Sequence, residues 1–140
     1  MYEAIFIPEG VEPPPYDIIY LPELYMYIED FGSKASDLAV VAEVDGIIIG
    51  AAWARIMMDY GHINDQTPSL SISLHQNFRG QGIGIKLWKT LLDHLFLAGY
   101  HQCSLSVQKT NFATKLYVRS GFYVVKENQD DYVMVKKLRE

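Results

Sequence analysis

Arg79-Gly80-Gln81-Gly82-Ile83-Gly84 is the stretch of this chain most suited to chemistry. Three glycines at alternate positions remove the Cβ atoms that would keep an anion away from the backbone N–H groups. If a helix starts there, its unpaired first-turn donors and positive dipole end can hold phosphate oxygens. The expected ligand is a pyrophosphate. The spacing excludes two common kinds. A P-loop needs Ser or Thr after its lysine, and Leu87 follows Lys86. A dinucleotide fingerprint starting at Gly80 or Gly82 needs a third glycine at Ile85 or Leu87, and Tyr100–Ser106 lacks the acid that would hold a ribose.

The elements that must position this loop are legible on both sides. Leu70, Ile72 and Leu74 alternate with Ser71 and Ser73, the pattern of a half-buried strand. After the glycines, Ile83, Leu87, Trp88, Leu91, Leu92, Leu95 and Phe96 recur with a 3.6-residue period, and Gly99 supplies a stop. The pattern is strand, glycine loop, helix. Upstream, Leu38–Val44 and Ile47–Met57 flank Asp45-Gly46, a hairpin signal, and Gly50 marks a bulge or a close backbone approach. Asp59–Ser69 is a loop. Downstream, His101–Val107 alternates as a strand. Thr110 or Asn111 caps a helix that runs through Arg119 to Gly121, and Phe122–Lys126 and Tyr132–Lys137 form a last pair of strands.

The first 38 residues are harder to read. Met1–Pro8 is apolar, Glu12–Pro15 contains three consecutive prolines and is non-helical, and Pro22–Phe31 reads as a short amphipathic helix. The expected fold is α+β, a mixed and mostly antiparallel sheet flanked by helices, in one domain over residues 1–140.

Composition narrows the function. With 140 residues, 49% hydrophobic and 21% charged, the chain can bury a real core. A net charge of −5 argues against a nucleic-acid surface, and no apolar run approaches the length of a membrane span. The start lacks a signal-like pattern, and the single cysteine, Cys103, rules out an internal disulfide; both fit a cytoplasmic protein. His101-x-Cys103 is too sparse for a metal site, and no metal is expected.

Arg79-x-x-Gly82-x-Gly84 resembles the acyl-CoA signature of the GNAT superfamily of N-acyltransferases. Asn111 through Phe122, with Ala113, Leu116-Tyr117 and Gly121-Phe122, resembles that superfamily's second motif. One departure stands out: the commoner spacing puts asparagine seven residues before the tyrosine, where this chain has Thr110. The match covers roughly Leu38–Leu138, and the N-terminus looks shortened, the first strand being either absent or replaced by Met1–Ile7.

The resemblance implies acetyl-CoA as co-substrate, a primary amine as acceptor, and direct transfer in a ternary complex. It implies that the backbone of Ile72, Ser73 and Leu74 pairs with the pantetheine arm while Gly80, Gln81, Gly82, Ile83, Gly84 and Ile85 hold the pyrophosphate, with Arg79 and Asn111 as further coenzyme contacts. A backbone N–H near Leu74 is the implied oxyanion donor, and Tyr117 the acid that protonates the leaving thiolate. For the base, Glu43, His62, Asp65, His75 and a water chain stay open, as does the identity of the amine. Dimers are common in relatives, so a homodimer is a further expectation. The alternative is a non-catalytic acyl-CoA-binding or sensing module of the same fold.

Overall fold

The computed structural model describes residues 31–32, 37–56 and 62–139. Met1–Pro8, Glu12–Pro15 and Pro22–Asp30 lie outside the described residues, and the expected shortening of the N-terminus falls there too. The described elements are β1 (Leu38–Val44), β2 (Ile47–Arg55), β3 (Ser69–Leu74), a 3-10 turn (Gln76–Phe78), α1 (Ile83–Leu97), β4 (Gln102–Gln108), α2 (Ala113–Arg119), β5 (Tyr123–Glu127) and β6 (Asp131–Lys137). They build one six-stranded sheet in the order β1-β2-β3-β4-β6-β5. Every neighbouring pair is antiparallel except β3 with β4, the two strands joined through α1. No described helix is long and apolar enough to cross a membrane.

Local chemistry sets these boundaries. Asp45 (φ 51°) and Gly46 (φ 80°) supply the two left-handed residues of a tight hairpin turn, so β1 and β2 pair from Val44 and Ile47 outward. Ala42 faces Gly50 and Glu43 faces Ile48, so Ile49 is the extra residue of a bulge in β2 beside Gly50, which also marks a close approach. A Cβ on Gly50 would lie 2.7 Å from Leu74 Cδ1 and 3.2 Å from Leu87 Cδ1. Both helices end on a left-handed glycine at the position after the cap: Tyr100 N–H reaches Leu95 O at 3.2 Å past Gly99, and Phe122 N–H reaches Tyr117 O at 3.0 Å past Gly121.

Leu87, Trp88, Leu91 and Leu95 of α1 pack on Ala52, Ala54 and Leu70 of the sheet, joined by Cys103, Leu105 and Met134. Small residues beneath the helix let it lie close to β2. On the opposite face, Arg55 is buried, and its guanidinium makes a two-point contact with Asp37 at 2.9 and 3.0 Å. The same Asp37 accepts from Gly32 N–H, so Gly32 is tied through it to the far end of β2.

Candidate active site

β3 and β4 meet at one register position, Ser69 with Ser104, fastened by Ser104 N–H on Pro68 O at 2.9 Å. Beyond Ser69 no further pairing holds these two strands, and the sheet opens between them toward Leu74. The other side of β3 stays paired with β2 along its whole length. His75 N–H donates to Ile49 O at 2.8 Å, which fixes the phase of that pairing. Bonded and non-bonded pairs alternate along an antiparallel ladder. Ser71 and Ser73 therefore spend their main-chain groups on Trp53 and Ala51, whereas Ile72 and Leu74 turn theirs toward the opening. The side chains of Ile72 and Leu74 pack beneath α1, so two residues bury their apolar parts and present their polar backbone to the cleft.

The glycine loop sits at the mouth of this opening. Gly80 (φ 78°) and Gly82 (φ 82°) are left-handed, and a Cβ at either would meet nothing within 4 Å. Backbone conformation, not crowding by the protein, therefore demands glycine there. Gly82 caps α1 without any side-chain bond, and the first intrahelical bond is Lys86 N–H to Gly82 O at 3.2 Å. The amides of Gly80, Gln81, Gly82, Ile83, Gly84 and Ile85 have no acceptor among the described residues. Six donors with the positive end of a 15-residue helix behind them are left available to an anion. Ile83 is half-buried against the core and Ile85 is exposed; Gly84 approaches Ile72 Cδ1, and the Gln81 side chain turns back to Asn77 O at 3.5 Å. Arg79 Nε donates to Leu74 O at 3.0 Å, joining the end of β3 to the start of the loop.

α2 forms the other wall. Asn111 Oδ1 accepts from Ala113 N–H at 2.9 Å and Asn111 O accepts from Thr114 N–H at 3.2 Å, so Asn111, not Thr110, closes the turn into α2, whose cap residue is Phe112. That bond occupies the asparagine's carbonyl oxygen. Tyr117 is 7% exposed and lies within an aromatic trio with Trp88 and Phe122, its ring centroid 4.9 Å from Trp88 and 6.1 Å from Phe122. Its hydroxyl has no hydrogen-bond partner among the described residues. Burial pushes its pKa from 10.0 up to about 12. Cys103 is buried in the core, its thiol likewise pushed up to about 12 by burial, and is inert as a nucleophile.

The base candidates separate by position. The loop carrying His62 and Asp65 leads into Ser69, the end of β3 away from the opening, about 17 Å from Leu74 for five residues of strand. In that loop His62 Nε2 and Asp65 Oδ1 lie 3.9 Å apart. Glu43 pairs with Ile48 near the hairpin turn, and His75 directly follows Leu74, so both lie at the open end. His75 Nδ1 accepts from Asn77 N–H at 3.2 Å, which occupies one ring nitrogen.

Three features are not apparent from the sequence: the phase of β3, the Arg79–Leu74 bond and the aromatic trio. One signal was available. From Gln66 through Lys126 stand seven Lys and Arg residues and a single acid, Asp93, in a chain whose net charge is −5. That local excess of cations coincides with the segment that builds the anion site.

Known proteins resemble this chain in sequence and in fold. The profile of the Acetyltransferase (GNAT) family matches residues 6–122. An uncharacterized N-acetyltransferase of Methanocaldococcus jannaschii is 30% identical over 116 residues, spanning 76% of this chain and 70% of that protein. Among solved structures, the PaiA N-acetyltransferase from Thermoplasma acidophilum, in complex with coenzyme A, superimposes with a TM-score of 0.67 at 22% identity, covering 86% of this chain and 74% of its own. YncA, a putative acetyltransferase from Salmonella typhimurium with its cofactor acetyl-CoA, gives 0.63 at 24% identity over 83% and 70%. These two likenesses concern the fold. With its family profile matched over most of its length, the chain belongs to the GNAT acetyltransferase family.

Proposed function

We propose that this protein is an N-acetyltransferase that moves the acetyl group of acetyl-CoA to a primary amine by direct attack in a ternary complex. One observation carries the reading: unpaired amides at the glycine loop continue into the splay-facing main chain of Ile72 and Leu74. A diphosphate on the loop and an extended amide-bearing arm along β3 would use both sets at once. Coenzyme A has that shape. The coenzyme-bound structures of PaiA and YncA support the same reading by likeness of fold.

The geometry also orders the contacts. An arm entering from the loop meets Leu74 first and Ile72 two residues deeper, about 6.6 Å further on. The thioester lies at the end of the arm remote from the diphosphate, so Ile72 N–H is the better placed oxyanion donor. The Leu74 amide then serves the part of the arm nearer the mouth.

Chemistry proceeds with the amine neutral. Its nitrogen forms a bond to the thioester carbon, and the carbonyl electron pair moves onto oxygen, where Ile72 N–H receives it; such a donor is worth about 3–4 kcal/mol. Collapse breaks the carbon–sulfur bond, the nitrogen gives up its extra proton to solvent or a nearby base, and Tyr117 gives its phenolic proton to the departing thiolate. In water this last transfer is uphill by roughly 1.5 pK units, about 2 kcal/mol. Burial holds the Tyr117 proton more tightly still, up to about 12, so the transfer depends on the departing thiolate being desolvated against the same wall.

The experiment is a screen of primary amines with acetyl-CoA, reading released thiol. Amine-dependent release with at least one acceptor is expected. Tight coenzyme A binding with no amine-dependent release from any class would instead favour a sensing module.

A further inference from the structure

We propose that Arg79 is a positioning residue: its bond to Leu74 O sets the register in which the coenzyme's arm pairs with β3. The inference rests on the coenzyme reading above and deepens it. β3 turns the amides and carbonyls of both Ile72 and Leu74 toward the opening. Strand pairing repeats every two residues, so an extended arm shifted by two positions meets groups of the same kind and the same direction. Nothing in an unmodified edge distinguishes the register that brings the thioester to Ile72 from the one that leaves it at Leu74.

Arg79 breaks that equivalence. Its Nε donates to Leu74 O at 3.0 Å from five residues further along the chain. One lone pair of the outermost carbonyl is thereby taken and the approach to it narrowed, so an arm donor pairs there at a disadvantage. The Leu74 amide and both groups of Ile72 stay available, which favours the deeper register. The same bond closes residues 74–79 into a ring of chain that includes the 3-10 turn Gln76–Phe78, within which Arg79 N–H also reaches Gln76 O at 3.3 Å. The distance from the anion site to Ile72 is then fixed by a short closed segment and not by a loose loop. A thioester displaced by one register step would sit beyond reach of the oxyanion donor, and misplacements far smaller are costly in rate.

The test uses the full chain and Arg79→Met, which removes the donor at an exposed position. Coenzyme A affinity is measured by calorimetry, and the backbone amide signals of Ile72 and Leu74 are compared between the coenzyme A and acetyl-CoA complexes. In the native protein the signal that changes on adding the acetyl group is that of Ile72. In R79M the coenzyme still binds within about threefold, held by the loop amides, while the Ile72 change weakens and a change appears at Leu74. An R79M that keeps the change confined to Ile72 overturns the proposal. So does one that loses coenzyme affinity tenfold or more, since Arg79 would then act on affinity and not on register. Absence of coenzyme binding by the native protein would sink the coenzyme reading itself, a separate failure.

Discussion

The rings of Trp88 on α1 and Tyr117 on α2 stand 4.9 Å apart, inclined at 41°, so the residue proposed to donate a proton is clamped by the helix that begins at the anion loop. The proposed diphosphate site and the proposed acid therefore share one rigid element. Phe122 completes the clamp from the strand side, 5.7 Å from Trp88.

Replacing Tyr117 with Phe keeps this packing and removes only the hydroxyl. The turnover of acetyl-CoA should fall by about a hundredfold or more, the range typical of a lost general acid. Calorimetry should find coenzyme A affinity nearly unchanged, and the melting temperature should hold or rise, because the hydroxyl makes no internal bond among the described residues. Turnover equal to that of the native protein would remove Tyr117 from the acid's role.

Buried acids make stability depend on pH in a defined direction. Tyr117 and Cys103 have folded-state pKa values raised from 10.0 and 9.0 to about 12. A raised pKa means that the unfolded state releases its proton first as pH rises. Their contribution is fully present below about pH 9 and is lost progressively between pH 9 and 12. Urea unfolding at about pH 7 and about pH 10.5 should show this decline, with a smaller decline in Cys103→Ala. An identical drop in that variant would contradict the assignment to Cys103.

Gly82 and Gly46 share a left-handed conformation, φ 82° and 80°, in open surroundings. Alanine at either should cost about 1–2 kcal/mol of stability in chemical denaturation. Only Gly82→Ala should also weaken coenzyme A, by tenfold or more, since its methyl group would stand where the proposed diphosphate approaches the amides. Equal effects of the two variants on coenzyme binding would remove the loop from the site.

Asp37 and Arg55 pair at 2.9 Å with both side chains almost wholly buried. Asp37→Asn should destabilise the fold by about 1–3 kcal/mol, because a charged two-point contact to the guanidinium becomes a neutral one. Arg55 pairs with Ser69 at the end of β3 away from the opening, so folded Asp37→Asn should bind coenzyme A normally. Calorimetry below the melting transition separates the two effects.

Much of this architecture is legible in the chain because its signals are local. The Asp45-Gly46 turn, the period of Ile83–Phe96, the stops at Gly99 and Gly121, and the alternation at Leu70–Leu74 each report a backbone requirement of a few neighbouring residues. The expected element order from the hairpin onward matches the structure within one or two residues at each boundary, the last strand of the hairpin ending at Arg55 instead of Met57. What the sequence hides is non-local. Whether Ile72 or Ser73 turns its amide to the cleft depends on the phase of pairing with β2, fixed by a bond from His75 to Ile49 that no pattern announces. The bond from Ala113 N–H to the Asn111 side-chain oxygen at the start of α2 is likewise announced by no pattern. His62 and Asp65 stand near β3 in sequence, but they precede its distal end.

Amide hydrogen exchange, followed residue by residue with and without coenzyme A, probes the alternating edge most directly. Ser71 and Ser73 should already be protected in the free protein and change little, while Ile72, Leu74 and Gly80 through Ile85 should exchange fast and slow markedly once coenzyme A is added. Protection of Ile72 and Leu74 in the free protein, or slowing confined to other parts of the chain, would contradict the proposed binding of the coenzyme along β3.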